Sequence, residues 1–380
     1  MLKRSEIDAS LVRMPHRVPI PAEQENPTPR CCKVHNLRSW KAPELNSDVA
    51  RDWLLILKSY RSPRTLRSLI EIMITAVPFA LLWITMWMAL GWSYLASLAI
   101  AIPASGFLVR LFMIQHDCGH GSFFRRRWAN DWTGRIIGVF TLTPYAYWQR
   151  SHAVHHAGSG NLDRRGIGDI TTLTVTEYLA KPRLQRLAYR LYRHPLIMFG
   201  IGPAYLFLVQ QRFPSGNIGR WRSWLSPMGT NAAFALLAGS LIWLIGLKAF
   251  MLVQGPILLL AASMGVWLFY VQHQFEDTVW TIDPMWSVHE AALYGSSHYD
   301  LPRVLRWFTA NIGVHHVHHL CSRIPFYRLG GVLRDHPELK DIGRLTLVDS
   351  IACVKLVLWD EKQRRMISFR QLKQRNGSSA

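Results

Sequence analysis

Half of the 16 histidines in this 380-residue chain fall into three tight groups: His116 with His120 (HDCGH), His152 with His155 and His156 (HAVHH), and His315 with His318 and His319 (HHVHH). At that frequency a given three-histidine pattern arises by chance about once in 10,000 starting positions, so the repetition calls for a chemical reason. Imidazole is a metal ligand. Two histidines four apart on a helix share one face about 6 Å apart along the axis and can reach one ion. In HxxHH the three rings sit on adjacent turns facing one way, so one helix can serve two neighbouring ions. Eight such nitrogens exceed the four ligands of a structural zinc and the three usual in catalytic zinc sites, which points to a binuclear centre. Iron, copper, nickel and zinc all accept imidazole, and ligand type does not choose between them.

The other histidines are weighed one at a time. His273, in YVQHQFED, emerges from an apolar run at the level where the first group leaves its own, and is expected to be a ninth ligand. His316 is turned away from the face its neighbours share, and His289 and His298 lack partner spacing, so all three are expected to be structural. His16, His35, His194 and His336 stand in polar contexts and are expected to be solvated. Metal-bound imidazoles commonly hand their second N–H to a carboxylate; the candidates are Asp117, Asp163, Asp169, Glu276 and Asp277.

These groups need elements to hold them. A run of about 20 apolar residues crosses a bilayer. Residues 69–90 and 93–114 meet that length and are joined by an uncharged turn at Gly91 and Trp92; residues 231–247 and 249–271 form a second pair whose turn carries only Lys248. Arg51, Lys58, Arg61, Arg64 and Arg67 precede the first span, and Arg125, Arg126, Arg127 and Arg135 follow the second, so both ends of that hairpin are expected on the cytoplasmic side. Residues 195–211 are apolar but short and interrupted by Pro203. A full crossing there would separate the third histidine group from the first two and leave Arg212, Arg220 and Arg222 outside, so an interfacial or re-entrant helix is expected. Residues 134–147, also too short and containing Pro144, are expected to lie along the membrane surface.

The expected fold is therefore an all-α integral membrane protein with four transmembrane helices in two hairpins, interfacial helices and a cytoplasmic cap. The division runs 1–66 (cytoplasmic N-terminal segment), 67–114 (first hairpin), 115–228 (first two histidine groups), 229–271 (second hairpin), 272–345 (cap with the third group) and 346–380 (tail). The tail reads as a helix near 347–358 followed by the hairpin-like WDEKQRRMISF.

A formal net charge of +20 would ordinarily suggest phosphate contacts with nucleic acid. Here the basic residues flank apolar spans in the positive-inside manner, and no nucleic-acid partner is expected. The five cysteines, Cys31, Cys32, Cys118, Cys321 and Cys353, include no CxxC, which suggests reduced thiols rather than a disulfide framework. No compact apolar segment precedes Leu54, so no cleaved signal peptide is expected.

QHDCGHGSFF (115–124), LTPYAYWQRSHAVHHAGSGNLDRRGIGDI (142–170), YVQHQFED (270–277) and LPRVLRWFTANIGVHHVHHLCSRIPFYRL (301–329) resemble the membrane fatty acid desaturase family, particularly its bacterial and cyanobacterial acyl-lipid members. The resemblance runs from about residue 60 to 370. It implies four spanning helices beneath a cytoplasmic cap in a bacterial inner membrane, and two irons held by the eight grouped histidines with His273. It implies insertion of a cis double bond into the acyl chain of a membrane lipid, with O2 as co-substrate and two electrons from an external donor. Ferredoxin or flavodoxin is the expected donor, since the chain shows no CxxC, dinucleotide fingerprint or haem-binding HPGG. Some relatives carry Asn one turn before the extra histidine, where this chain has Phe269.

Two rivals are kept. A lipid or carotenoid hydroxylase or ketolase uses the same di-iron chemistry and differs in its product. A metal transporter would line its spans with ionisable groups; the four spans have almost none, Arg110 lying near an end from which it can snorkel.

Overall fold

The computed structural model describes residues 47–214 and 221–377. His16, His35, Cys31, Cys32 and Arg220, with most of the N-terminal segment, lie outside the described residues.

The chain enters through α1 (Ser47–Leu57) and then forms the first long pair, α2 (Thr65–Ala89) and α3 (Tyr94–His120). The pair turns over Leu90–Ser93, where the Ser93 hydroxyl caps α3 by accepting from Ala96 N–H at 3.3 Å. Two shorter helices follow, α4 (Arg127–Phe140) and α5 (Tyr145–Gly158), then α6 (Val175–Ala180), α7 (Arg183–Tyr192) and α8 (Gly202–Leu208). The second long pair is α9 (Trp221–Ile245) and α10 (Leu247–His273). Among the described residues these four are the helices long and apolar enough to cross a membrane, and the protein is a membrane protein. Each contains one proline, at Pro78, Pro103, Pro227 and Pro256. α3 is the central one: 56% of its most apolar window is buried within the protein, against 6% for α9.

The remainder is a helical cap: α11 (Val288–Tyr294), α12 (Arg303–Phe308), α13 (His315–Leu320), α14 (Phe326–Asp335), α15 (Leu347–Cys353) and α16 (Phe369–Gly377). Two small sheets stitch it together. β1 (Leu173–Thr174) runs parallel to β4 (Leu358–Asp360), which pairs antiparallel with β5 (Arg365–Ile367). β2 (His298–Asp300) runs parallel to β3 (Arg344–Thr346).

Several expectations are refined. α3 and α10 run past the predicted span ends at 114 and 271, and these extra turns carry His116, His120 and His273. The stretch 134–147 is not one surface helix. It is the end of α4, a turn with Leu142 in the left-handed region (φ 52°) and the start of α5, because Pro144 lacks the N–H a continuing helix would use. Residues 195–211 contain a π-helical turn at Ile197–Ile201, then α8 with Pro203 in its first turn, too short to cross. The tail helix stops at Cys353 rather than 358, and the predicted hairpin is β4 and β5.

One expectation is overturned. Arg110 does not snorkel: it is 2% exposed and paired with Glu71, 1% exposed, through Nη2 to Oε2 at 2.5 Å. Its Nε donates to Thr75 Oγ1 at 3.2 Å, another N–H donates to the Trp307 carbonyl, and its guanidinium lies 4.0 Å from the Trp307 ring centroid. Glu71 also holds Arg67 at 2.6 Å. A charge this deep is stable only when it is paired, and helices α2 and α12 supply the partners of Arg110 on α3.

Candidate metal centre

α3 ends abruptly after His120 because Gly121 adopts φ +66° and its N–H caps the Asp117 and Cys118 carbonyls. The helix therefore stops with His116 and His120 on its last two turns, projecting toward α5. α5 is pinned there by polar contacts on its first two turns. Tyr145 O–H donates to the Cys118 carbonyl at 2.9 Å, and Gln149 Nε2 donates to the Gly119 carbonyl at 2.8 Å. Gly119 permits the close approach, since a Cβ there would stand 2.7 Å from the Trp148 ring.

Nine imidazoles converge into two sets. His116, His120, His152, His156 and His318 form one; His155, His273, His315 and His319 form the other, with the ligand atoms of each set within 4.8 Å of one another. The HxxHH spacing explains the partition. On α5 the i, i+4 pair His152 and His156 points into the first set while His155 points into the second; on α13 the i, i+4 pair His315 and His319 points into the second while His318 points into the first. Each of these helices thus serves both sets.

Within the first set, Nε2 of His152 lies 3.0 Å from that of His116, 3.0 Å from that of His120 and 3.1 Å from that of His156, which is 3.2 Å from that of His318. In the second, Nε2 of His273 is 3.1 Å from that of His155 and 3.0 Å from that of His315, which is 3.1 Å from that of His319. So many aromatic nitrogens cannot all satisfy one another by sharing protons. Two nitrogens about 2.1 Å from one ion, at right angles, are about 3.0 Å apart, so the spacing fits the edges of a coordination polyhedron.

The protonation states suit the same role. Burial, reinforced by neighbouring rings, pushes His152, His156, His315, His318 and His319 well below the ordinary value of 6.5. These rings are therefore uncharged near neutrality, as a metal ligand requires.

Of the carboxylates proposed to orient ring N–H groups, Asp169 does so, accepting from His155 Nδ1. Asp117 lies 3.5 Å from His116 Nδ1 and accepts the Phe326 N–H at 2.7 Å with its other oxygen. The other three face away from the rings. Asp163 accepts from Asp283 N–H, Glu276 pairs with Arg365 at 3.6 Å, and Asp277 is exposed. His273 Nδ1 donates to the Gly295 carbonyl at 3.3 Å, a backbone partner that spacing could not reveal.

His316 is turned out as expected, donating from Nε2 to the Leu339 carbonyl at 2.8 Å; burial pushes it to about 3. His298 donates to the Lys340 carbonyl at 2.6 Å. His289 belongs to neither set, and His194 is exposed. His336 is not simply solvated: its ring packs edge-on against Trp53 and Tyr60, at 5.4 and 6.1 Å. Cys118, Cys321 and Cys353 are free and buried.

Sequence reasoning missed the aromatic walls. Trp148 stacks on His152 (4.6 Å, 16°) and lies 5.7 Å from His116. Phe269 lies 5.0 Å from His155 and 5.2 Å from His273. Trp148 stands one helical turn before His152 and Phe269 one turn before His273; that offset, already noted for Phe269, was the available signal.

Comparison with known proteins decides the family. Residues 92–344 match the fatty acid desaturase family. The chain belongs to that family. It is 47% identical over 315 residues to a fatty acid desaturase of Bacillus subtilis, covering 83% of this chain and 89% of that protein. It is 27% identical over 245 residues to an sn-1 oleoyl-lipid 12-desaturase of Anabaena variabilis, and 29% identical over 236 residues to an sn-1 acyl-lipid omega-3 desaturase (ferredoxin) of Synechocystis sp.. The two cyanobacterial matches each cover 58% of this chain, and 63% and 61% of those proteins. As a desaturase, the chain is an oxidoreductase acting on fatty acyl chains, and its histidine sets are compatible with bound metal.

Proposed function

We propose that this desaturase inserts a cis double bond into an acyl chain carried by a membrane lipid, using O2 and two electrons from a ferredoxin- or flavodoxin-type donor. The single observation that carries the reading is the convergence of nine imidazole nitrogens into two compact sets. On this reading His116, His120, His152, His156 and His318 hold one iron, and His155, His273, His315 and His319 hold the other. The choice of iron rests on the family rather than on the donor set, which other metals would also accept.

Bound iron would supply the oxidising power needed to attack unactivated methylenes. The protein's own groups prepare the site. Asp169 fixes the His155 tautomer by holding its Nδ1 proton, and the Gly295 carbonyl does the same for His273. Trp148 and Phe269 wall the two sets with apolar rings, which keeps water from the reaction. The methylenes offer no polar handle, so the position of the new bond depends on how far the chain threads past the metals.

The printed activities of the cyanobacterial relatives support a lipid-borne substrate and a ferredoxin-type donor. The arginines flanking the spans support a centre on the cytoplasmic face of a bacterial inner membrane, between a cytoplasmic and interfacial region at 115–228 and the cytoplasmic cap at 272–345.

The test is expression in a host that lacks polyunsaturated lipids, with mass spectrometry locating any new unsaturation and metal analysis of the purified protein. A new double bond with about two irons per chain is expected. A hydroxylated or ketonic product, or an active preparation without iron, overturns the reading.

A further inference from the structure

Helix α7 is amphipathic in an unusual direction. Tyr189 faces inward to the cluster formed with Tyr178, Val357, Leu358, Ile367 and Leu372, and its O–H donates to the Val357 carbonyl at 2.6 Å. The opposite face carries Leu184, Leu187 and Leu191, which are 77%, 52% and 50% exposed. Lys181, Arg183 and Arg186 lie beside this stripe, and Arg183 and Arg186 form no ion pair among the described residues. Arg190 is engaged instead, donating to the Tyr178 hydroxyl at 2.7 Å.

The depth of this helix follows from its attachment. Arg193, one residue past α7, donates to Tyr270 Oη at 3.1 Å and Gln274 Oε1 at 3.0 Å. Phe199 packs against Trp267 and Tyr270 at 5.0 and 5.2 Å. All three partners belong to the last turns of α10 or follow them directly. α10 has 27 residues; at about 1.5 Å each it is about 40 Å long, against an apolar bilayer core of about 30 Å, so its last turns stand among the headgroups. The leucine stripe continues into Leu196, Ile201 and Tyr205, exposed on the segment packed beside α10. It is therefore continuous with the lipid-facing surface of the spanning helices.

We infer that α7 lies in the plane of the membrane interface, with Leu184, Leu187 and Leu191 in the acyl layer and Lys181, Arg183 and Arg186 binding the headgroups of anionic phospholipids. Leucine on one face and arginine at its edge is the composition of an interfacial helix, and basic residues at that depth attract anionic lipid. The inference rests on α10 crossing the bilayer and is independent of the metal assignment.

The test uses the full-length chain in nanodiscs. A spin label at Leu187→Cys, in a background with Cys31 and Cys32 replaced by serine, should collide more often with O2 than with a water-soluble nickel chelate. A label reached preferentially by nickel overturns the inference and leaves the face for a protein partner. Native mass spectrometry should show phosphatidylglycerol retained in preference to phosphatidylcholine, with the preference at this site falling about 30-fold in R183Q/R186Q, which is about 2 kcal/mol. R183K/R186K should keep it. Equal retention of both lipids by the unsubstituted protein, or no change in R183Q/R186Q, overturns the headgroup assignment.

Discussion

The role of each histidine is set by where its ring points. His156→Ala should abolish desaturation and lower bound iron while leaving the chain membrane-inserted, whereas His298→Ala, which loses a bond to the Lys340 carbonyl and a ring contact with His316, should retain iron; lipid analysis and metal content read both. Asp169→Asn keeps the size of the side chain but weakens its hold on His155, and should cost about 10- to 100-fold in metal affinity, measured by chelator competition. The pH dependence has a definite sign. The folded values of His152, His156, His315, His318 and His319 lie well below 6.5, so the unfolded chain binds more protons once pH drops below that value, and protons compete with metal for the same nitrogens. Thermal stability and iron retention should both be full above pH 6.5 and fall progressively below it. A pH-independent iron content between pH 7.5 and about 5 would contradict this.

At the scale of elements, two contacts decide whether the rings meet. The buried Arg110–Glu71 pair joins α2 and α3 to the carbonyl of Trp307 on α12. Arg110→Met leaves the buried Glu71 carboxylate with Arg67 as its one remaining ion pair among the described residues and should destabilise the fold by at most about 3–5 kcal/mol, while adding Glu71→Leu should recover much of that, read by unfolding in detergent. The close approach of α3 and α5 depends on Gly119. Gly119→Ala drives a methyl against Trp148 and should cost about 1–3 kcal/mol with partial loss of iron; Trp148→Phe in the same chain should restore part of both. Element boundaries were only partly legible in the sequence. Hydropathy locates four spans but not where α3 and α10 end, because the overrunning turns are polar; the i, i+4 spacing of His116 and His120 was the signal that α3 continues. The α4–α5 corner is hidden because both helices are short and its turn is made by Leu142, a residue with no turn preference.

For the molecule as a whole, a net charge of +20 concentrated beside the spans should attract an acidic electron carrier over distances set by salt. Ferredoxin-supported turnover in nanodiscs should fall steeply as ionic strength rises from 0.01 to 0.15 M, where the screening length shortens from about 30 to about 8 Å; a salt-independent rate would argue against docking on the basic face. Composition and spacing alone determined much here. Apolar runs long enough to cross a bilayer can do little else, and repeated HxxHH on helical faces places rings on two sides of one helix, so the spans, the histidine groups and the facing of one helix toward two ring sets were readable from residue order. Only the tertiary structure decided which rings share a set, because His318 and His116 are 202 residues apart and nothing local relates them. It also decided that Asp169 rather than Glu276 serves a ring, and that Arg110 is buried. Those outcomes depend on which surfaces meet when the cap closes over the helix ends, and a linear pattern carries the periodicity of each element but not the angle at which two of them pack.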